Sequence, residues 1–356
     1  MIDRRKMIKW VKFISFLLYH TGIYALLHCL FDRNGVYIVF YHRLWDRDRS
    51  GFDHTFMVDC TNFEKHIRYF KDSYMVITMD EAAELLAGGC RPTKKYMAVT
   101  FDDGYRDNCT YGLEIFQRYG LKPTIYLTAG SIERQDFLWP DLVQHLILSS
   151  QKEEVTLDLF GRTENLSLKN NRDRERLADR LVSSLKSCSD DYRRWLIEQL
   201  KSSLEYAHNG SCSLMLDWSR IGSLLAAGVD IGGHTMNHPI LSKIPGENLP
   251  AELLDSKLLI EKRINRPVRH FSYPNGKSRD FTGEVKKEAA RHYVSAVTTI
   301  SGINHEGADL FELKRIGLSY DMNLAELKVK ILAAQIGQAL HEWKQALKKP
   351  ARGGRA

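Results

Sequence analysis

The sequence predicts an α/β fold, a distorted (β/α)7-type barrel, incompletely closed and carrying a charged helical insertion. Three observations predict it. Short apolar runs rich in β-branched and aromatic residues recur, each followed by a polar turn and a stretch of helical periodicity. That alternation is the pattern of parallel strands joined by helical crossovers. The polar residues best equipped for chemistry fall just after these runs, where a parallel barrel opens its mouth. A chain of 356 residues, 44% of them hydrophobic, is enough for one large barrel core.

The expected strands are 37–41 (YIVFY), 75–78, 97–101 (MAVTF), 124–128 (TIYLT), 229–231, 270–273, 294–298 and 313–316. Between them, 62–71 sets Phe63, Ile67 and Phe70 on one helical face. Asp80 is read as the N-cap of a helix over 81–87 that stops at Gly88 and Gly89. Segments 257–264 and 283–291 read as helices in the same way. The organisation expected is a hydrophobic and basic helix over 1–35, a barrel over 36–320 interrupted at about 150–213, and a helix with a basic tail over 321–356. The insertion carries a long helical pattern over 173–206 and is read as a solvated helical pair, with a lid over the site as the sharper reading. The tail from 348 on reads as disordered.

The formal charge of +7 comes partly from the ends: Arg4, Arg5, Lys6, Lys9 and Lys12 at the start, and Lys348, Lys349, Arg352 and Arg355 at the finish. Such ends suit an anionic surface. No aromatic-interleaved basic stripe or zinc-finger spacing accompanies them, so nucleic acid is not expected as a partner. The six cysteines lie far apart without paired spacing and read as reduced thiols, which favours a cytoplasmic site. Segment 13–31 carries no acidic or basic charge but includes His20, Thr21, Gly22 and His28, which make it a poor membrane span. Two readings stand for it: a helix lying in a membrane interface, or one packed on the domain. The expected location is cytoplasmic or peripheral on the cytoplasmic membrane, with a membrane-anchored, external barrel as the alternative.

The chemistry centres on Asp102 and Asp103 in 97–104 (MAVTFDDG), read with His234 and His238. His42 follows YIVFY and Asn275 follows the strand at 270–273, so both also reach the mouth. The i, i+4 spacing of the histidines suits two positions on one metal, either on a helical turn or, because Pro239 disfavours helix at His238, on an irregular one. With Asp103 they form a two-His, one-carboxylate set, which serves open Zn²⁺ hydrolytic sites or Fe²⁺ oxygenases. Asp102, left over as a base, favours hydrolysis.

Segments 100–104 (TFDDG), 234–239 (HTMNHP) and 271–276 (FSYPNG) resemble the first three motifs of the polysaccharide deacetylases of carbohydrate esterase family four, the NodB-homology domain. The resemblance covers roughly 36–319. It implies a distorted (β/α) barrel, a divalent metal, zinc foremost with other divalent ions able to serve, and removal of acetyl groups from an N-acetylated sugar. It implies Asp103, His234 and His238 as metal ligands, Asp102 as the base that activates water, and the backbone N–H of Asn275 as an oxyanion donor.

Two departures stand out. Many members carry an arginine two residues before the third motif's proline, where this chain has Ser272, and Arg106 or Arg269 is the expected substitute. The late Leu-x-His motif that supplies the acid has no match in 313–318 (LKRIGL). A permuted subgroup, the poly-N-acetylglucosamine type, takes its acid from an early Tyr-His, and Tyr41-His42 resembles that element. His42 would then protonate the leaving amine. Asp141 is read as a helix cap rather than a site residue, and Trp139 and Trp218 as packing rather than sugar-stacking residues. His145, His270, His292 and His305 are read as surface or core residues.

The function expected is a metal-dependent hydrolase acting on N-acetylhexosamine residues of a polysaccharide or its lipid-linked precursor. The alternatives are a barrel hydrolase for a non-sugar amide, and an inactive glycan-binding or assembly protein.

Overall fold

The computed structural model describes residues 4–46, 57–89, 91–206, 214–319 and 321–348. Two helices, α1 (Arg4–His20) and α2 (Ile23–Phe31), precede strand β1 (Gly35–Tyr41). Then come β2 (Arg43–Trp45), β3 (Met57–Asp59), α3 (Cys60–Ser73), β4 (Met75–Ile77), α4 (Met79–Ala87) and β5 (Lys95–Phe101). Next are α5 (Asp107–Thr110), α6 (Gly112–Tyr119), β6 (Thr124–Leu127), α7 (Ala129–Arg134) and α8 (Trp139–Ser149). The insertion holds β7 (Glu154–Leu159), β8 (Arg162–Ser167), α9 (Asn171–Leu185) and α10 (Asp190–Ser203). The barrel resumes with α11 (Trp218–Ala226), β9 (Asp230–Gly233), α12 (Ser256–Ile264), β10 (His270–Ser272), α13 (Gly283–His292), β11 (Ser295–Val297) and β12 (Ile316–Gly317), and α14 (Leu324–Lys348) is the last element among the described residues.

The main sheet is parallel, ordered β11-β10-β9-β6-β5-β1-β12, with β4 paired to the early half of β5. It curls into a half-barrel whose edges approach at one bridge, Val297 to Leu313. Each of the eight expected strand runs is a strand of this sheet or abuts one. Alternation explains the curl: in β1, Tyr37, Val39 and Tyr41 join the core under the helices, whereas Val36 and Ile38 point into the barrel with Ala98, Tyr126 and Leu313. Register fixes the site. Tyr41 pairs with Phe101 and Leu127 with Gly233, so His42 leaves the sheet beside Asp102, and His234 beside Thr128.

Several local expectations are corrected. The helix over 79–87 is capped by Thr78 in a reciprocal box with Glu81, while Asp80 pairs with His270 and Arg269. The insertion is more than a helical pair: β7 and β8 form an antiparallel hairpin turned at Phe160 and Gly161, both with positive φ. Val155, Leu157 and Leu159 alternate inward and pack with α8, α9 and α10 in a core of their own. The single helical pattern over 173–206 is split by Ser189, which caps α10. Segment 13–31 is broken at Gly22, φ 78°, into two helices 83° apart. Of the six cysteines, Cys29, Cys60, Cys109 and Cys188 are free. Cys90, Cys212 and the tail read as disordered beyond 348 lie outside the described residues.

Candidate active site

Asp102 and Asp103 leave the end of β5 in opposite roles because the backbone turns between them. Asp103 adopts φ 77° and Gly104 φ 82°, and a Cβ on Gly104 would stand 2.9 Å from the Leu127 side chain. Thr235, His238 and Asn275 also hold positive φ. For a β-branched threonine this is costly, and such strain collects where surrounding structure forces side chains to converge.

The loop 234–238 is an irregular turn, not a helix. Glu252 accepts the Met236 and Asn237 N–H groups at 2.9 and 3.0 Å, and Thr235 Oγ1 accepts the His238 N–H at 3.0 Å. The Trp139 indole donates to the His238 carbonyl at 3.1 Å, so α8 helps to fix the loop and Trp139 is not free to stack on a sugar. Trp218 is likewise engaged, donating to Glu133.

Three buried donors converge as a result. His234 Nε2 lies 3.2 Å and His238 Nε2 3.3 Å from Asp103 Oδ1. Donors at about 2.0–2.2 Å from a tetrahedral zinc stand about 3.3–3.6 Å apart. The spacing therefore fits one divalent cation, and Asp103, His234 and His238 could hold it. His234 Nδ1 lies 2.7 Å from the Ser272 carbonyl and donates to it, so Nε2 is the nitrogen that faces Asp103 and would ligate a cation on losing its proton. Burial pushes the Asp103 carboxyl upward, but hydrogen bonds from both imidazoles outweigh it and hold the group well below the usual range. Burial also disfavours a charged imidazole. It prevails at His238, which is kept neutral, and is outweighed at His234 by Asp103 and Asp102.

Asp102 faces a different partner. Arg315, fully buried inside the barrel just before β12, donates to both its oxygens at 2.8 and 2.7 Å. The same guanidinium donates to Ser272 Oγ at 3.0 Å, Thr100 Oγ1 at 3.2 Å and the Thr298 carbonyl at 2.7 Å, and lies over Phe40. Burial alone would raise the Asp102 pKa, and the paired guanidinium reverses this so that the carboxylate stays ionised. Arg315 thus occupies the place for which Arg106 and Arg269 were the expected candidates. Arg269 instead pairs with Asp80 at 3.0 Å, and Arg106 has a buried Nε with no hydrogen-bond partner. The sequence signal was present: an arginine inside the apolar run LKRIGL must find an anion if that run is buried.

His42 is close enough for its charge to act on both aspartates. Its segment is clamped by the residues after Asp103. Asn108 donates to the His42 carbonyl at 2.9 Å, and Asp107 accepts from Leu44 N–H at 3.0 Å and Arg43 Nε at 2.7 Å. Asn275 follows Pro274 on the turn after β10, three residues beyond the Ser272 carbonyl that orients His234, and its Nδ2 is buried without a partner. Asp141 is not a cap. It sits inside the first turn of α8 and accepts the Tyr105 hydroxyl at 2.8 Å, and burial pushes its pKa up to about 6.

A curled parallel barrel with two imidazoles and two carboxylates converging at its C-terminal mouth defines an α/β barrel built around a candidate divalent-cation site. The polysaccharide deacetylase family model matches residues 90–157 and 184–294, half of the chain, and the chain belongs to that family. YxkH of Bacillus subtilis, named as a polysaccharide deacetylase, is 22% identical over 262 residues, covering 73% of this chain and 65% of its own length. The Streptococcus pyogenes deacetylase PplD, solved with acetate, superposes with a TM-score of 0.55 at 18% identity, over 85% of this chain and 98% of that one. IcaB from Ammonifex degensii gives 0.54 at 15% identity with the same coverage. The gap between the two matched segments, 158–183, contains β8 and most of α9, the part of the insertion with its own core.

Proposed function

We propose that the protein is a metal-dependent hydrolase that removes the N-acetyl group from N-acetylhexosamine units of a polysaccharide or its lipid-linked precursor. The observation that carries this reading is the pairing of a three-donor cluster with a separately braced carboxylate one residue away. Family membership supports the class of reaction, and the family's use of a divalent metal agrees with the donor spacing.

A divalent cation held by Asp103, His234 and His238 would supply Lewis-acid polarisation of the acetamide carbonyl and acidify a water. Asp102, kept ionised by Arg315, accepts the proton of the attacking water. The Asn275 N–H donates to the oxygen on which negative charge develops. As the C–N bond breaks, His42 gives its proton to the departing amine, leaving acetate and a free amino sugar. Arg315 holds the Asp102 carboxylate in one orientation, and Asn108 with Asp107 does the same for the His42 backbone.

The test is acetate release from a panel of N-acetylhexosamine oligomers, lipid-linked N-acetylated sugars and simple acetamides, with metal content measured alongside. Release from the sugars by the wild type and its loss in Asp102→Asn at unchanged metal content is the expected result. Metal-bound protein that hydrolyses only simple amides, or retains oligomers without turnover, would replace this reading with one of the two alternatives.

A further inference from the structure

Seventeen large hydrophobic side chains are exposed among the described residues, and eleven of them lie on three helices that pack together, α1, α2 and α14. Trp10, Phe13, Phe16, Leu26, Leu30 and Trp343 are each more than half exposed. No residue of α2 is buried, and in α1 only Ser15 is, among those whose side chains are described. A patch of this extent is uncommon on a protein that meets only water.

The inner side of the pair is fastened. Lys328 of α14 lies over the rings of Tyr19 and Tyr69, and its Nζ is 3.3 Å from the Tyr19 hydroxyl. Asp32, just past α2, pairs with Lys95 at 2.8 Å. Among the described residues, none packs against the outer side. Its charge has one sign: from Arg4 to Phe31 the chain carries five cations and no carboxylate, and Lys9 and Lys12 are exposed beside the apolar residues.

The 83° bend decides how such a face can meet a bilayer. It divides the apolar stretch into arms of twelve and nine residues, Lys9–His20 and Ile23–Phe31. At about 1.5 Å per residue these reach about 18 and 14 Å, well short of the roughly 30 Å hydrocarbon core. Neither arm can cross, but both can lie in the interface with apolar side chains down and lysines at the headgroups.

We propose that α1 and α2, with the end of α14, form an in-plane membrane-docking surface that seats the barrel on a leaflet containing anionic phospholipid. Lys12 reaches the first turn of α14, where its charge acts on Glu326. That turn follows β12 at the mouth side of the barrel, so the docked face runs from the floor at Asp32 up to the rim. The surface is independent of the reaction proposed for the site.

The experiment is flotation of the full-length protein with vesicles of phosphatidylcholine alone and of phosphatidylcholine mixed with phosphatidylglycerol, at low and high salt. The wild type is expected to float with the anionic vesicles and to be released by alkaline carbonate. Lys9→Glu with Lys12→Glu should weaken binding by about fivefold per lysine, with loss of salt sensitivity. Phe13→Ser with Leu26→Ser should weaken it by about tenfold or more. Phe160→Ser, exposed at the tip of the insertion's hairpin, should change nothing, and all variants should melt as the wild type does. Equal binding to both vesicles, resistance to carbonate, or no flotation would each overturn the proposal. So would a dimer in light scattering that the Phe13 and Leu26 changes dissolve, because the face would then belong to a second copy.

Discussion

Asp102 and Asp103 are neighbours in sequence, equally buried, and yet they belong to two different regions of the mouth. Asp103 turns toward the loop 234–238 and meets two imidazoles. Asp102 turns into the barrel and meets one guanidinium through two hydrogen bonds. Burial pushes both carboxyls the same way, upward, and in both the partner reverses it. The partners differ in what they leave available. Imidazoles can give up a proton and become ligands, so Asp103 sits in a cluster that a cation can enter. A guanidinium cannot give up its proton, so Asp102 remains an anion with a fixed orientation.

The largest expected effect comes from breaking the Asp103 side. Asp103→Asn removes a charged ligand, so bound metal should fall toward zero and turnover by on the order of 10⁴-fold. Elemental analysis beside acetate release checks it. A variant that keeps a full complement of metal would show that the cluster is not the cation site.

Breaking the Asp102 side should look different. Arg315→Ala leaves a buried carboxylate without its cation, at a cost of about 3–5 kcal/mol in stability, while metal content stays the same. Freed of the guanidinium, Asp102 should titrate higher, so the acid limb of the kcat/KM profile moves to higher pH. Arg315→Lys restores charge without the paired geometry and should recover stability better than rate. Returning an arginine to the opposite strand, Ser272→Arg with Arg315→Ala, should regain part of the lost activity, because Ser272 Oγ already touches the guanidinium. No gain over Arg315→Ala alone would mean that the direction of approach matters as much as the charge.

The same contrast explains what could be read from the sequence. The eight strand runs were legible because parallel strands covered on both faces are continuously apolar. Asp102, Asp103, His234 and His238 were legible because each motif is local and ends a strand. Arg315 was not assigned, since its partner lies 213 positions away and only the fold brings β12 beside β1. The hairpin β7–β8 was hidden for a related reason. Its inward residues Val155, Leu157 and Leu159 alternate with Glu, Thr and Asp inside a segment whose overall charge suggested solvated helix. Asp80 looked like a cap because it stands in the first turn, yet Thr78 with Glu81 satisfies that turn better and frees Asp80 for His270.

His42 tests whether the two regions share an acid. His42→Ala should lower turnover by about 10²–10³-fold. Metal content should not change and the acid limb set by Asp102 should stay in place. A change of metal content would make His42 a ligand rather than a proton donor. Asn108→Ala, which releases only the His42 carbonyl, should give a smaller loss of kcat at constant metal content, and little change in rate would mean that other contacts set the ring.

Asp141 is a partly buried carboxylate nearby, and it sharpens the comparison because its side-chain donor is neutral. Burial raises its pKa to about 6 and the Tyr105 hydroxyl, at 2.8 Å, only partly offsets it. Between the ordinary carboxylate value and about 6, the folded protein holds a proton that the unfolded chain has released. Stability from this group therefore falls as pH rises through that window, and the cost is complete above it. Asp141→Asn keeps an acceptor for Tyr105 and removes the charge. It should stabilise the protein by up to about 3 kcal/mol at neutral pH and by almost nothing at pH 4. Thermal melts of the two proteins across that range check the sign, and a difference that did not change with pH would mean that shape, not charge, separates Asp141 from the two aspartates beside it.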